Sequence, residues 1–280
     1  VGQCNLGYCM LKGIGIRPDP AQAVYWFRKA AEGGSGRAMC LLGDCYREGQ
    51  GVEADAAQAR TCYQKAIDLG FDAKEELERL YGVKVLACQA DGGVEEQVAA
   101  VVKQAADTLG RIDFLINNAQ NSASGVPLAE HTKEQFDQAI YSGLYAAFFY
   151  MKHCYPYLKE TKGSVVNFAS GAGLFGKPGQ SSYAAAKEGI RGMTRVAATE
   201  WGPDDINVNV VCPLAWTAKL EQFQQAYPEA FKANVKMPPM GHYGNAELEI
   251  GRVCVQLAMP DFKFMSGETL TLEGGMGQRP

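Results

Sequence analysis

Ser164-Val165-Val166-Asn167-Phe168-Ala169-Ser170, followed after twelve residues by Tyr183-Ala184-Ala185-Ala186-Lys187, is the stretch on which the reading of this chain turns. The apolar run 164–168 reads as a strand, and it delivers Ser170 to its C-terminal end, where open parallel sheets place their sites. Tyr183 and Lys187, four apart on a helix, share one face. A phenol with a pKa of about 10 is a poor acid or base at neutral pH, and an ammonium beside it favours the phenolate and brings the value down. A serine hydroxyl aimed at the same point can hold a substrate oxygen while a proton moves. The trio points to carbonyl/alcohol redox chemistry. The plain alternative is that Tyr-x-x-x-Lys is a common pair on any amphipathic helix.

Outward from this stretch, helices and strands alternate. The pattern predicts a charged helix over 74–81 ending at Gly82, a strand over 83–88, and a helix over 94–109. It continues with strands at 112–116, 164–168, 207–212 and 268–273, and helices near 133–159 and 182–201. That is an α/β doubly wound pattern.

Residues 1–72 read differently. A shift of thirty-six lays Cys4 on Cys40, Gly7 on Gly43, Cys9 on Cys45, Gly13 on Gly49, Gly15 on Gly51, Asp19 on Asp55 and Lys29-Ala30 on Lys65-Ala66. A fixed period of this size means stacked helical hairpins, each with a Gly-x-Gly turn and an aspartate before an alanine-rich second helix. The repeated cysteines are then packing residues rather than metal ligands. Gly33-Gly34-Ser35-Gly36 imitates a phosphate-binding loop, but it follows a helix and not the strand such a loop needs.

Composition narrows the function classes. The net charge of −4 over 280 residues, with no Lys/Arg cluster, argues against nucleic acid as a partner. The most apolar stretch, 144–151, is too short to cross a bilayer, and no basic-then-apolar leader opens the chain. Nine cysteines without a Cys-x-x-Cys spacing fit reduced thiols and a cytoplasmic setting. His131, His153 and His242 are scattered and suggest no metal site.

From about residue 74 onward the chain resembles the short-chain dehydrogenase/reductase family. The resemblance rests on Asn117-Asn118-Ala119, the Ser170/Tyr183/Lys187 set, Val208-Asn209-Val210-Val211-Cys212-Pro213, and Ser266-Gly267-Glu268-Thr269-Leu270 running into Gly274-Gly275. Residues 1–72 resemble the Sel-one-like class of tetratricopeptide-related repeats. The expected architecture is a helical-repeat segment over 1–72, then a Rossmann-like doubly wound parallel sheet over 73–280 that lacks its first two strands.

The resemblance implies an NAD(P)-dependent oxidoreductase interconverting an alcohol and a ketone. Tyr183 would move the proton, Lys187 would lower its pKa and hold the nicotinamide ribose, and Ser170 would orient the substrate oxygen. Asp91, Asn117, Ala119, Pro213 and Thr217, with Tyr183 and Lys187, would line the NAD or NADP site. The family's glycine-rich strand-turn-helix for the pyrophosphate is absent, so weak cofactor binding is expected. In the family's sheet order the missing strands would separate 83–88 from 112–116. The strand at 83–88 must then slide over to pair with 112–116, another chain must fill the gap, or the sequence is a fusion that never worked as a unit.

Several positions depart from the family pattern. Gly143 stands where an asparagine supports a water relay, Gln120 and Leu214 replace glycines, and Thr217 sits one place early. The segment 217–245, with Trp216 before it and Phe223, Phe231 and Tyr243 within it, would close over a hydrophobic alcohol or ketone. Helices 133–159 and 182–201 would form a homo-oligomer contact through Phe136, Ile140, Leu144, Phe148 and Met151. A rival reading is a non-catalytic interaction module, in which the repeats bind a protein partner and the remainder no longer holds a dinucleotide.

Overall fold

The thirty-six-residue period builds two helical hairpins. In the computed structural model, which describes residues 2–69, 71, 78 and 82–276, they are α1 (Gly2–Lys12) with α2 (Pro20–Glu32), and α3 (Gly36–Glu48) with α4 (Ala56–Asp68). Each repeat opens its second helix in the same way. Asp19 accepts from the Gln22 N–H at 3.0 Å, and Asp55 accepts from the Ala57 and Gln58 N–H groups at 2.9 and 3.0 Å. The repeat also carries a close approach: a Cβ on Gly7 would lie 2.8 Å from the Phe27 ring, and one on Gly43 would lie 2.6 Å from Tyr63. Both pairs are related by the period, so glycine there lets the two helices of each hairpin touch. Cys4, Cys45 and Cys62 are buried among Ala23, Phe27, Ala38 and Leu42, and none of the three is in a disulfide. Ser35 caps α3 by accepting from the Ala38 N–H, which confirms the glycine run there as a link between helices.

The chain divides into two compact units, Val1–Ala87 and Cys88–Pro280. The change of pattern expected at residue 73 falls among residues outside the described set, as does most of the helix expected over 74–81. Gly82, at φ 62, donates to the Glu78 carbonyl as a helix-ending glycine does.

The second unit is a parallel sheet in the order β1 (Phe114–Asn117), β2 (Ser164–Phe168), β3 (Asn207–Pro213) and β4 (Thr269–Leu272). Phe114 is in register with Ser164, Val165 with Val208, and Val211 with Leu270. One face packs on α5 (Glu95–Leu109), α7 (Ala146–Thr161) and α9 (Ser181–Trp201), burying Val98, Met151, Leu158, Val165, Ala197 and Val208. The other buries Val166 and Val211 against Ile250, Cys254 and Leu257. Covered on both faces, β2 and β3 read as continuous apolar runs.

The strand expected over 83–88 does not form, and the sliding of that segment onto the next strand does not occur. The two strands that would bridge it to 112–116 are missing, and it pairs with no strand of the sheet. The Val85 N–H turns instead to the Glu78 carboxylate at 2.8 Å. β1 is therefore a sheet edge with a neighbour on one side only, and its Ile116 is 45% exposed. The single helix expected over 133–159 is α6 (Lys133–Ala139), a π-helical turn (Ile140–Tyr145) and α7.

Candidate active site

Because β2 and β3 are parallel, their C-terminal ends lie on one edge of the sheet, and the loops leaving that edge carry the predicted residues. Ser170 adopts φ −157 and ψ 144 and caps α8 (Gly171–Phe175), its hydroxyl accepting from the Ala172 N–H at 3.1 Å. The same hydroxyl faces the Tyr183 phenol and favours its ionised form. Tyr183 and Lys187 stand one turn apart on α9, with the Lys187 Nζ 5.5 Å from the centre of the Tyr183 ring. Lys187 is 3% exposed, and its Nζ donates to the Phe168 carbonyl at 2.7 Å. The three residues predicted from the sequence thus meet.

The electrostatics correct one expectation. Burial pushes the Tyr183 phenol above its usual value, and the Ser170 hydroxyl offsets this only in part. Lys187 does not bring it down, because its ammonium lies over the ring and is bound to a carbonyl. Burial also lowers Lys187 itself to about 8.

A cleft of about 810 Å³ opens beside this trio. Its wall carries Asp91, Asn117, Ala119 and Lys187, together with Gly143 and Tyr150. Asp91 accepts from the Gly93 N–H at 2.9 Å in the turn that enters α5. Asn117 donates to the Asn167 carboxamide at 2.8 Å, and Asn167 donates to Thr194 at 2.9 Å, so this side chain is committed to a buried network. Pro213 ends β3. Thr217 is exposed and caps the next helix, α10 (Ala218–Ala226), by accepting from the Leu220 N–H at 3.2 Å. Neither Pro213 nor Thr217 lines the cleft.

Two departures noted in the sequence occupy one place. A Cβ on Gly143 would lie 2.5 Å from the Gln120 Cδ, so the Gln120 carboxamide fills the space that a side chain at 143 would take. Ser142 on the same π-helical turn accepts from the Asn121 N–H at 3.0 Å and ties the loop down. The sequence did not reveal this pairing, since the residues lie twenty-three positions apart; a glutamine for a glycine and a glycine for an asparagine were the available signs. Across the loops, Trp216 packs edge-on to Phe231 at 6.1 Å and to Tyr243 at 5.9 Å, an aromatic cluster in the segment expected to close over substrate. Among the described residues no group of His, Cys, Asp or Glu could hold a metal.

Comparison with known proteins identifies relatives of both parts of the chain. The enoyl-(acyl carrier protein) reductase family profile matches residues 53–277, and the Sel1 repeat profile matches residues 1–35. A 12alpha-hydroxysteroid dehydrogenase of Clostridium sp. is 68% identical over 213 residues, covering 75% of this chain and 82% of that protein. The solved structure of levodione reductase superposes with a TM-score of 0.67 at 29% identity, covering 79% and 84% of the two chains. That of ElxO with NADP bound gives 0.65 at 28% identity, covering 72% and 83%.

Proposed function

We propose, on the premise that this chain belongs to the short-chain dehydrogenase/reductase family, that it interconverts a secondary alcohol and a ketone on a hydrophobic, steroid-sized substrate with NAD or NADP. Its class is that of a short-chain oxidoreductase. The observation that carries the reading is the grouping of Ser170, Tyr183 and the buried Lys187 at the C-terminal edge of the sheet. The 68% identity to a 12alpha-hydroxysteroid dehydrogenase supports the steroid. The aromatic cluster around Trp216 gives an apolar surface to receive it.

Ser170 holds the substrate oxygen. Tyr183 gives that oxygen its proton in ketone reduction and takes it back in alcohol oxidation. Lys187, positively charged below about pH 8, would hold the nicotinamide ribose. Hydride transfer is the chemistry a bound nicotinamide supplies. The cleft residues Asp91, Asn117, Ala119 and Lys187 suit the nucleoside parts of such a cofactor, with Pro213 and Thr217 beyond β3.

The pyrophosphate fits less well. The helix start bordering the cleft, α5, has Glu95 and Glu96 in its first turn, and Asp91 already takes the Gly93 N–H there. These charges oppose an anion at the place where a helix N-terminus would otherwise attract one.

The setting we infer is the cytoplasm, where nine cysteines outside any disulfide stay reduced. Among the described residues no helix is long and apolar enough to cross a membrane. In the repeat unit, exposed Tyr25 and Leu6 offer a surface to a protein partner. The test is incubation of the purified chain with a 12alpha-hydroxysteroid and a large excess of NAD or NADP, following reduced nicotinamide. Product with either cofactor, lost in Tyr183→Phe, supports the reading; no product with either from this or any simpler secondary alcohol overturns it.

A further inference from the structure

The short helix that carries Ser170 rests on two carboxylates. An ideal Cβ on Gly173 would lie 2.7 Å from the Glu188 Oε1, and one on Gly171 would overlap the Glu273 Oε1. Glu273 follows β4 and is 8% exposed. Glu188 sits on α9 immediately after Lys187; its Oε2 takes the Arg191 guanidinium, with Nε at 2.9 Å, while its Oε1 is buried with no hydrogen-bond partner. A long side chain is normally free to retreat from a crowding atom. Here retreat would break the Arg191 fork, whose guanidinium is itself mostly buried.

A buried carboxylate oxygen left without a partner costs free energy that the surrounding structure must supply. Such an arrangement persists where neighbouring packing holds it, and it recurs at functional sites. Both carboxylates contact the turn directly after Ser170, and one of them shares a helix with Tyr183 and Lys187. Glycine at both 171 and 173 is what lets this turn settle onto them.

We propose that Glu188 and Glu273 are positioning residues that seat the Gly171–Phe175 helix, and thereby hold the Ser170 hydroxyl against Tyr183. The role rests on the functional reading above, yet its main consequence can be read without turnover. If the seat is lost, Ser170 leaves Tyr183, and the phenol loses the one contact that favours its ionised form. Removing a negative charge nearby would by itself move the phenol the other way, so the sign separates the two causes.

The experiment is a pH titration of the chain labelled with carbon-13 at the tyrosine ring carbon bearing the hydroxyl, with the Tyr183 signal assigned by Tyr183→Phe. Glu188→Ala should raise the Tyr183 pKa by about half a unit to one unit, the size of one lost neutral hydrogen bond. Gly173→Ala, which crowds the same carboxylate, should shift it in the same direction. Glu188→Gln, which keeps shape and one acceptor for Arg191, should return it towards the wild-type value. Thermal melts confirm that each variant is folded before its titration is read.

In the active enzyme, Glu188→Ala should lower kcat by at least about tenfold with KM changed less than about twofold, and Glu188→Gln should recover at least about a third of kcat. An unchanged or lowered Tyr183 pKa in both Glu188→Ala and Gly173→Ala overturns the seat. So does a raised value with kcat untouched in an enzyme that turns over. Failure of the wild-type chain to turn over any alcohol overturns the functional reading and leaves the titration to decide the seat.

Discussion

Lys187 is held at about 8 against an ordinary 10.5 because burial penalises its ammonium. Between those values the unfolded chain keeps a proton there that the folded chain has released, so unfolding takes up a proton and stability rises with pH across the window. Below about 8 both states are protonated, and the full penalty, on the order of 3 kcal/mol, is present. Buried thiols such as Cys154, pushed up to about 12, act in the opposite sense over the same range. The clean quantity is therefore the unfolding free energy of the wild type minus that of Lys187→Met. This difference should climb from pH 8 to 10.5 in denaturant melts, and a flat difference would show that the lysine is not desolvated as its 3% exposure indicates. Beside it, Tyr183→Phe removes only the titrating hydroxyl, so turnover should fall by about a thousandfold or more while the melting temperature stays within a few degrees. Unchanged turnover in that variant would remove Tyr183 from the chemistry.

Strands β2 and β3 were legible almost to the residue because burial on both faces demands an unbroken apolar run, and 164–168 and 207–212 supply one. The segment 83–88 is just as apolar in pattern but has no ladder partner, since pairing is a property of neighbours that a local pattern does not carry. Its amides should exchange with solvent at least about a thousandfold faster than those of 164–168, measured residue by residue in the native state. Equal protection would mean that the segment is a paired strand after all. The extra residue of the π-helical turn Ile140–Tyr145 was illegible for a related reason: it shifts the helical phase without changing composition. Of the stripe expected from sequence, Met151 consequently lies in the core and Leu144 packs at Gly189. Tyr141, Tyr145 and Phe148 are left 50%, 41% and 42% exposed. Phe148 and Val196 border a groove of about 350 Å³ between α7 and α9, where the oligomer contact is expected. Sedimentation at micromolar protein should give a dimer or larger for the wild type, and Phe148→Asp with Val196→Asp should shift it to monomer. A monomeric wild type would contradict the contact.

At the scale of the whole molecule, a repeat unit precedes in sequence an oxidoreductase sheet that brings Ser170, Tyr183 and Lys187 together. The 12alpha-hydroxysteroid dehydrogenase of Clostridium sp. is matched over 82% of its length. Among the described residues of Cys88–Pro280, no glycine-rich turn links a strand to a helix N-terminus aimed at the cleft. The helix start that does border it is acidic. Tight dinucleotide binding in this architecture depends on backbone N–H groups meeting the pyrophosphate. Each lost charge-assisted hydrogen bond is worth roughly 1.5–3 kcal/mol, so two or three together cost about 3–9 kcal/mol, or roughly two to six decades in affinity. The contacts proposed at Asp91, Asn117 and Lys187 would not replace them, because they would hold the nucleoside parts of the cofactor and not its phosphates. Fluorescence titration of this chain with NADH and NADPH should therefore give dissociation constants weaker than those of the Clostridium relative by at least about a hundredfold, with turnover appearing only at high cofactor. Raising ionic strength should weaken binding little, since among the described residues lining the cleft Lys187 is the one cation and it is buried away from screening. Micromolar affinity would overturn this expectation and would require a phosphate site supplied by the repeat unit or by a second copy of the chain.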